Sequence, residues 1–227
     1  MFHTNVRLLL AHLMGGHSFR VRSNALKKKL CLILLLVFGM VVLGQAQQFD
    51  VAFGVGTTQG TPGSDASDNH FPINIGGGAY PAVSVDYLFK KHFGVGGEVA
   101  WRASQNTYPG LYQDQPFRPI FYDVNAVYAP SLGLDRRVAP EFSGGIGGLS
   151  TRFYTGYYNC TYFGGCTNYE SVNHFMGHVG VGLKLYVSGN FFIRPEAHFY
   201  FIHDNQEFSS GYARRYGASI GYTLGER

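Results

Sequence analysis

The chain has 227 residues, enough for one large domain or two small ones. Charged residues make up only 14% of it, against about 25% in a typical soluble domain, while glycine (31), phenylalanine (19) and tyrosine (16) are abundant. No run of about 18 apolar residues occurs outside the N-terminal region, which excludes a membrane-spanning helix from the rest of the sequence.

Residues 1–46 are predicted to be an export signal. Three lysines (27–29) precede the apolar run Leu30–Leu43. Gly44 and Ala46 then provide small residues at positions −3 and −1 of a cleavage site after Ala46. This order is typical of a secretory signal peptide, whereas the alternative, a single membrane anchor, needs a longer apolar run. We hypothesise that residues 1–24 precede the true start. A mature protein that begins before the three lysines would contradict this hypothesis.

The positive net charge belongs to this leader. The formal net charge is +4, but residues 1–46 contain six of the 18 Lys and Arg residues and none of the 14 Asp and Glu residues. The remaining domain, residues 47–227, is therefore slightly acidic. Its composition does not indicate a nucleic-acid partner.

The remaining domain reads as eight strands in succession. Their predicted ranges are about 49–57, 77–89, 92–103, 118–129, 138–153, 172–187, 191–202 and 212–224. The clearest alternation lies around the turn 188–190, where Val179, Val181 and Leu183 share one face with each other, and His178, Gly182 and Lys184 share the opposite face. A period of two is the signature of a strand with two different faces.

The connections alternate in length between the predicted strands. Long segments (58–76, 104–117 and 154–171) alternate with short or moderate ones (90–91, 130–137, 188–190), and a moderate segment, 204–211, precedes the last strand. Membrane barrels have strands that are apolar on one side and carry small or charged residues on the other. Their strands are joined by long loops at one end of the barrel and by short turns at the other. We therefore predict an all-β fold, an eight-stranded antiparallel up-and-down transmembrane β-barrel. The alternative is a secreted lipocalin-like barrel with an apolar ligand inside, which would place its continuous apolar face inward.

The chain resembles the eight-stranded outer-membrane barrels of bacteria, the family of the OmpA transmembrane domain and the OmpX-type barrels. The resemblance covers about residues 48–224. It is carried by the signal peptide, the strand count, the loop alternation and the last strand, in which RYGASIGY (215–222) is similar to the family's insertion signal. The chain departs from that pattern by ending in TLGER, without a terminal phenylalanine. The resemblance implies a place in the outer membrane, contact with its lipid and assembly by the barrel assembly machinery; we expect a monomer.

Nine charged residues are predicted to face the lumen. A barrel of eight strands is narrow enough for side chains to fill it, and buried charges there must pair. We expect a salt-bridged plug, with an ion path or gated pore as the alternative. The nine residues are Asp86, Glu98, Arg102, Asp123, Glu141, Lys184, Arg194, Glu196 and Arg215.

The third long loop, 154–171, contains Cys160 and Cys166, which are six residues apart in NCTYFGGCTNY. In an exported chain this spacing predicts a disulfide. The alternative, a metal pair, needs two more ligands, and His174 and His178 lie on a predicted strand instead. Tyrosine combined with Gly, Asn and Thr is typical of contact surfaces, so we hypothesise that this loop binds a surface partner.

Aromatic residues are predicted to form two girdles at the membrane boundaries. The outer girdle would contain Trp101, Tyr108, Tyr112, Tyr154, Tyr200 and Tyr212, and the inner one Phe89, Phe93, Tyr128, Tyr186, Phe191 and Tyr222.

Enzymatic activity is not expected. A lipid-modifying outer-membrane hydrolase would need a histidine that activates a nearby serine, and no His-x-Ser occurs within a predicted strand. His174, His178, His198 and His203 lack a serine at that spacing. We therefore predict no catalytic, cofactor-binding or metal-binding residues, and a structural or surface-interaction role in envelope integrity or adhesion, with weak pore activity as an extension. The lipocalin-like barrel and a lipid-modifying enzyme stay open as alternatives.

Overall fold

The computed structural model describes residues 48–60, 73–90, 92–108, 114–132, 137–161 and 165–225. The predicted signal, residues 1–46, lies outside these ranges and stays a prediction. Within the described ranges, no helix is long and apolar enough to cross a bilayer.

The described residues form eight long strands and one short strand. They are β1 (Gln48–Gly60), β2 (Ala79–Leu88), β3 (Phe93–Trp101), β4 (Asn106–Tyr108), β5 (Gln115–Tyr128), β6 (Val138–Thr161), β7 (Gly165–Ser188), β8 (Phe191–Ile202) and β9 (Tyr212–Leu224). All neighbours are antiparallel, in the order β3-β2-β1-β9-β8-β7-β6-β5, and pairing of β3 with β5 closes the ring. The closed eight-stranded barrel confirms the predicted fold class. The three-residue β4 pairs only with β5 and adds no wall to the barrel.

The two ends of the barrel differ. Strand β1 begins and β9 ends at one end, which we call the inner end, and the connections β2–β3 and β7–β8 there are short. Strands β6 and β7 join at the opposite end, which we call the outer end. Short turns on the side of the termini match the arrangement of outer-membrane barrels, in which long connections face the outside.

The outer face of the wall is apolar and the inner face is polar. Phe53, Val124 and Ile220 are more than 60% exposed, while Lys184 and Arg215 are fully buried inside. A soluble lipocalin-like barrel requires the opposite arrangement, so the structure excludes that alternative. An apolar band around a closed sheet is stable only in contact with lipid.

The girdle prediction is correct for most of the described residues and wrong for three of them. Trp101, Tyr212 and Tyr222 face outward as predicted, but Tyr200 and Tyr186 face the lumen, and Tyr108 packs on the interior apolar cluster. The reason is strand parity, since Tyr200 is six residues from the inward-facing Arg194 and must share its face. Tyr112 lies outside the described residues.

The predicted loop 154–171 is wrong. Strands β6 and β7 continue through it as a paired hairpin, which ends at Thr161 and Gly165. Strand β5 also begins earlier than predicted, at Gln115, because its outer part pairs with β4 and β6. The sequence of this hairpin lacks regular alternation, since neither face is buried against a barrel wall.

An arginine at the middle of the lipid-facing surface is expected to destabilise the barrel. Val124 lies midway between Ile120, which pairs with Trp101 of the outer girdle, and Tyr128, which pairs with Phe93 of the inner girdle. Val124→Arg should therefore lower the free energy of unfolding from vesicles by about 2–4 kcal/mol, the usual cost at a bilayer midplane. Chemical denaturation of the barrel in lipid vesicles measures this difference.

Val187→Arg is the matched control. Val187 is as exposed as Val124 (63% against 66%) but lies beside the inner turn. Near the interface the cost should fall to about 0–1 kcal/mol. Equal costs for the two variants would contradict the placement of the bilayer on this barrel.

Candidate functional site

The lumen has an apolar outer half. Twelve buried residues form one cluster there, and the rings of Phe121 and Tyr200 stack with centroids 4.6 Å apart. Phe208, a member of the cluster from the β8–β9 connection, pairs with Ile73, which packs against the cluster from the β1–β2 connection. The members are Ile75, Tyr80, Ala82, Ala100, Phe117, Phe121, Leu149, Met176, Tyr200, Ile202, Phe208 and Ala213. This apolar plug was not foreseen, because the predicted lumen was polar throughout.

Lys184 anchors the innermost part of the polar lumen. Its ammonium group lies 2.5 Å from Asp50, contacts Glu141 and lies 3.7 Å from Asp86. Glu141 lies on the neighbouring strand β6, whereas Asp50 and Asp86 lie on β1 and β2, so two of these ion pairs cross the barrel and join β7 to strands that are not its neighbours.

Arg194 lies in the middle of the lumen and donates hydrogen bonds from all three of its guanidinium nitrogens. The contacts are Nε to Glu196 (2.9 Å) and Ser219 (3.2 Å), Nη1 to Asp86 (3.2 Å) and Glu141 (2.6 Å), and Nη2 to Ser84 (2.7 Å). Charge-assisted hydrogen bonds of this kind are stronger than neutral ones. Arg194 is thus the most connected side chain of the described lumen.

Arg215 forms the outermost layer of the connected ion pairs, directly below the apolar plug. Its guanidinium group binds Glu98, lies 3.6 Å from Glu196 and donates to the hydroxyl of Tyr200 at 3.2 Å. Glu196 contacts both Arg194 and Arg215, so it joins the two layers into one cluster.

Two histidines extend this layer toward Asp123. His178 Nε2 and His198 Nδ1 share a hydrogen bond of 2.9 Å, and His178 Nδ1 lies 2.7 Å from the amide oxygen of Asn125. Asn125 in turn donates to Asp123 at 2.5 Å. This series of hydrogen bonds connects Asp123 to the ion pairs, although no lysine or arginine among the described residues contacts Asp123.

The structure places all nine predicted lumenal residues inside the barrel. Eight of them join the cluster, which also includes Asp50, His178 and His198 outside the predicted set. Arg102 stands apart at the outer end, and its Nε and Nη1 have no hydrogen-bond partner in the described part of the chain. The alternation of faces along β1 could have predicted that Asp50 faces the lumen, since Asp50 shares a face with the small residues Ala52 and Gly54.

Glu98, Glu196 and His198 have the donor atoms of a metal site. One ligand atom from each residue lies within 4.8 Å of the other two. Both carboxylates already contact arginines, however, so a cation would compete with guanidinium groups. The adjacent cavity, lined in part by Glu98 and His198, has about 20 Å³, room for one water molecule. The arrangement is that of a packed, ion-paired plug.

The second feature of the site is the outer hairpin, which we define as residues 154–161 and 165–175. The last partner of β6 on β5 is at Phe153, and the first partner of β7 on β8 is at Met176. Beyond these points the described residues of β6 and β7 pair with each other, apart from one hydrogen bond from the His203 N–H to the Phe175 carbonyl at the base. Eight residues of extended chain correspond to about 25 Å, so the hairpin projects well beyond the barrel wall.

The tip of the outer hairpin is fixed covalently. Cys160 and Cys166 are opposite each other in the strand pairing and form a disulfide. Below it, Tyr157 and Tyr158 are exposed (63% and 71%), and the register shifts between Tyr154 and Asn159. The hairpin therefore combines a constrained tip with two aromatic side chains that are largely exposed.

No protein-family model matches the sequence, and no curated protein is significantly similar to it. Solved structures do match. Neisserial surface protein A superposes with a TM-score of 0.55 at 12% identity, covering 77% of this chain and 96% of that one. Ail, the attachment invasion locus protein of Yersinia pestis, in complex with the heparin analogue sucrose octasulfate, superposes with a TM-score of 0.50 at 16% identity, covering 79% and 99%. At these identities the likeness establishes the fold. Together with the apolar exterior, it shows that the chain has the fold of an eight-stranded transmembrane β-barrel, as these two proteins do.

Proposed function

We propose that the protein is a non-enzymatic outer-membrane surface protein that contacts an external partner through the outer hairpin. The observation that supports this most is the pair of sheet edges that the hairpin leaves without partners. Among the described residues, β7 has no strand partner on its β8 side from Gly165 to His174. An extended segment of a partner can add to such an edge through backbone hydrogen bonds, and neighbouring side chains then provide selectivity.

The aromatic side chains on the hairpin suit such a contact. Exposed tyrosines bury a large area at low cost in conformational entropy, and the disulfide reduces the ordering that binding would require. Arg152 supports the base of the hairpin, with its guanidinium group 4.8 Å from the ring centre of Tyr169. Ail, which has the same fold, is named for attachment and invasion, and that name is consistent with a role in surface contact.

The lumen supports a structural role for the rest of the barrel rather than a pore. Ion pairs fill its inner half and the apolar plug fills its outer half within the described residues. The histidines that could activate a nucleophile are engaged in other contacts: His178 and His198 bind each other, and His174 lies 2.8 Å from a carboxylate oxygen of Glu207.

Removing the hairpin's contact residues tests the proposal. Bacteria that display the wild-type barrel are compared with bacteria that display Tyr157→Ser/Tyr158→Ser or Cys160→Ser/Cys166→Ser, for binding to immobilised matrix proteins and host cells. We expect about a tenfold loss of binding for the tyrosine variant, because aromatic contacts dominate such interfaces, and a smaller loss for the cysteine variant.

His203→Ser is the control, because the exposed His203 side chain lies in the β8–β9 connection at the base of the hairpin, where its backbone N–H binds the carbonyl of Phe175, and not beside Tyr157 or Tyr158 near the tip. Equal amounts of folded barrel in all strains are checked by the band shift on boiling in SDS. Undiminished binding by both hairpin variants would refute the proposal.

A further inference from the structure

Two arginines face each other on the outside of the barrel. Arg118 of β5 and Arg152 of β6 are direct cross-strand partners. Both lie on the outward-facing side, since they alternate with the inward-facing Phe117 and Thr151. Side chains opposite each other in this way have Cβ atoms about 5 Å apart, and like charges there destabilise the pairing unless a counter-charge is present.

No carboxylate supplies that counter-charge within the described residues. None of the ion pairs found there includes Arg118 or Arg152. Arg118 Nη2 donates to the carbonyl of Ala103, but its Nε is buried with no hydrogen-bond partner. Arg152 lies against the ring of Tyr169. The pair therefore has unused donors suited to an anion.

The position of the arginine pair along the barrel axis indicates which anion it binds. Ile120 is the next outward-facing residue below Arg118 and pairs with Trp101 of the outer girdle. Tryptophan marks the boundary between hydrocarbon and headgroups, so the two guanidinium groups lie at headgroup level. The anion that is concentrated at this level is the phosphate of a membrane lipid.

An apolar groove continues below the pair on the same strands. It has a volume of about 580 Å³ and opens to the bilayer. Its lining includes Val85, Val99, Tyr122, Val124, Ile146 and Phe175. Small outward-facing residues, Gly148 and Ser150, separate the groove from Arg152 along β6. A cationic pair above an apolar groove matches the two chemical parts of a phosphate-bearing lipid.

We propose that Arg118 and Arg152 bind the phosphate of an outer-leaflet lipid whose acyl chain lies in the groove formed by β2, β3, β5, β6 and Phe175 of β7. The bound phosphate neutralises the two opposed charges and holds the base of the outer hairpin at the membrane surface. This site is independent of any partner that the hairpin binds.

The test uses the full mature chain folded into micelles of an uncharged detergent that contains no phosphate. Bisphosphorylated lipid A is titrated into them, and the bound lipid is counted by native mass spectrometry. Arg118→Gln/Arg152→Gln should weaken binding about tenfold or more, since two charge-assisted contacts are lost. Arg118→Lys/Arg152→Lys should retain most of the affinity. The band shift on boiling confirms that each variant is folded.

Arg214→Gln is the matched control. Arg214 is an exposed, outward-facing arginine at the outer end of β9, opposite Gln59 and Phe199 and without a second arginine. Its loss should leave lipid binding unchanged. The proposal is overturned if the double glutamine variant binds like wild type, if Arg214→Gln is equally weakened, if lipid A without phosphates binds as well, or if inorganic phosphate at the same concentration displaces the lipid.

Discussion

Replacing Arg194 with methionine is expected to lower the free energy of unfolding by about 3–5 kcal/mol, the usual effect of removing one partner from buried ion pairs. Methionine keeps most of the volume but none of the donors. Asp86, Glu141 and Glu196 would each lose a cationic partner in an environment where their oxygens have little access to water. Chemical denaturation in lipid vesicles measures the loss, and a lower temperature for the band shift in SDS should accompany it.

Two further variants separate this effect from a general effect of arginine loss. Arg214→Met removes an exposed arginine and should change stability by less than about 0.5 kcal/mol. Arg194→Lys keeps the charge but cannot reach five partners at once, so its stability should lie between those of the wild type and Arg194→Met. If Arg194→Met were as stable as Arg214→Met, the lumenal cluster would not hold the barrel together.

The direction in which each side chain points could be predicted from the sequence. A strand alternates with a period of two, so one inward residue such as Arg194 fixes the faces of Glu196 and His198 on the same strand. The alternation was clear wherever one face meets lipid and the other the lumen. This is why the closed eight-stranded barrel and the nine inward-facing charges could be read from the residues.

The pairing within the lumen could not be predicted in this way. Lys184 and Asp50 are 134 residues apart in sequence, and their contact depends on how far the closed sheet turns between β7 and β1. The apolar plug was missed for a related reason. Near the outer end, β5 carries Phe121 on its inner face and Tyr122 on its outer face, so both faces are apolar and the period carries little information there.

The outer hairpin was missed because local sequence favoured a loop. Gly156, Asn159 and the cysteines are typical of turns, and no alternation marks a buried face. The hairpin is instead stabilised by continuous pairing of β6 with β7 and by the disulfide. Its exposed tyrosines were correctly identified as a surface feature, although their placement on paired strands was not.

A valine in place of Gly147 is expected to prevent the barrel from closing. A Cβ at Gly147 would overlap the backbone of β5, touching the carbonyl of Tyr122 and lying 2.7 Å from the Cα and 2.8 Å from the Cβ of Asp123. Backbone atoms in a sheet cannot move aside as a flexible side chain can. Strands β5 and β6 would have to separate, which breaks ladder hydrogen bonds and exposes Asp123. We expect a loss of more than about 3 kcal/mol, seen as little or no heat-shifted band after refolding into lipid.

Gly144→Val is the control for this prediction, because it changes the same residue type on the same strand. A Cβ at Gly144 would point outward, with the nearest atom, the carbonyl oxygen of His178, at an ordinary 3.9 Å. A β-branched side chain suits a lipid-facing strand position, so this variant should fold as well as the wild type. Normal folding of both variants would mean that β5 and β6 do not approach as closely as their pairing here requires. Failure of both would mean that β6 needs the backbone freedom of these glycines rather than their lack of a side chain, because of the two only Gly147 faces the backbone of β5.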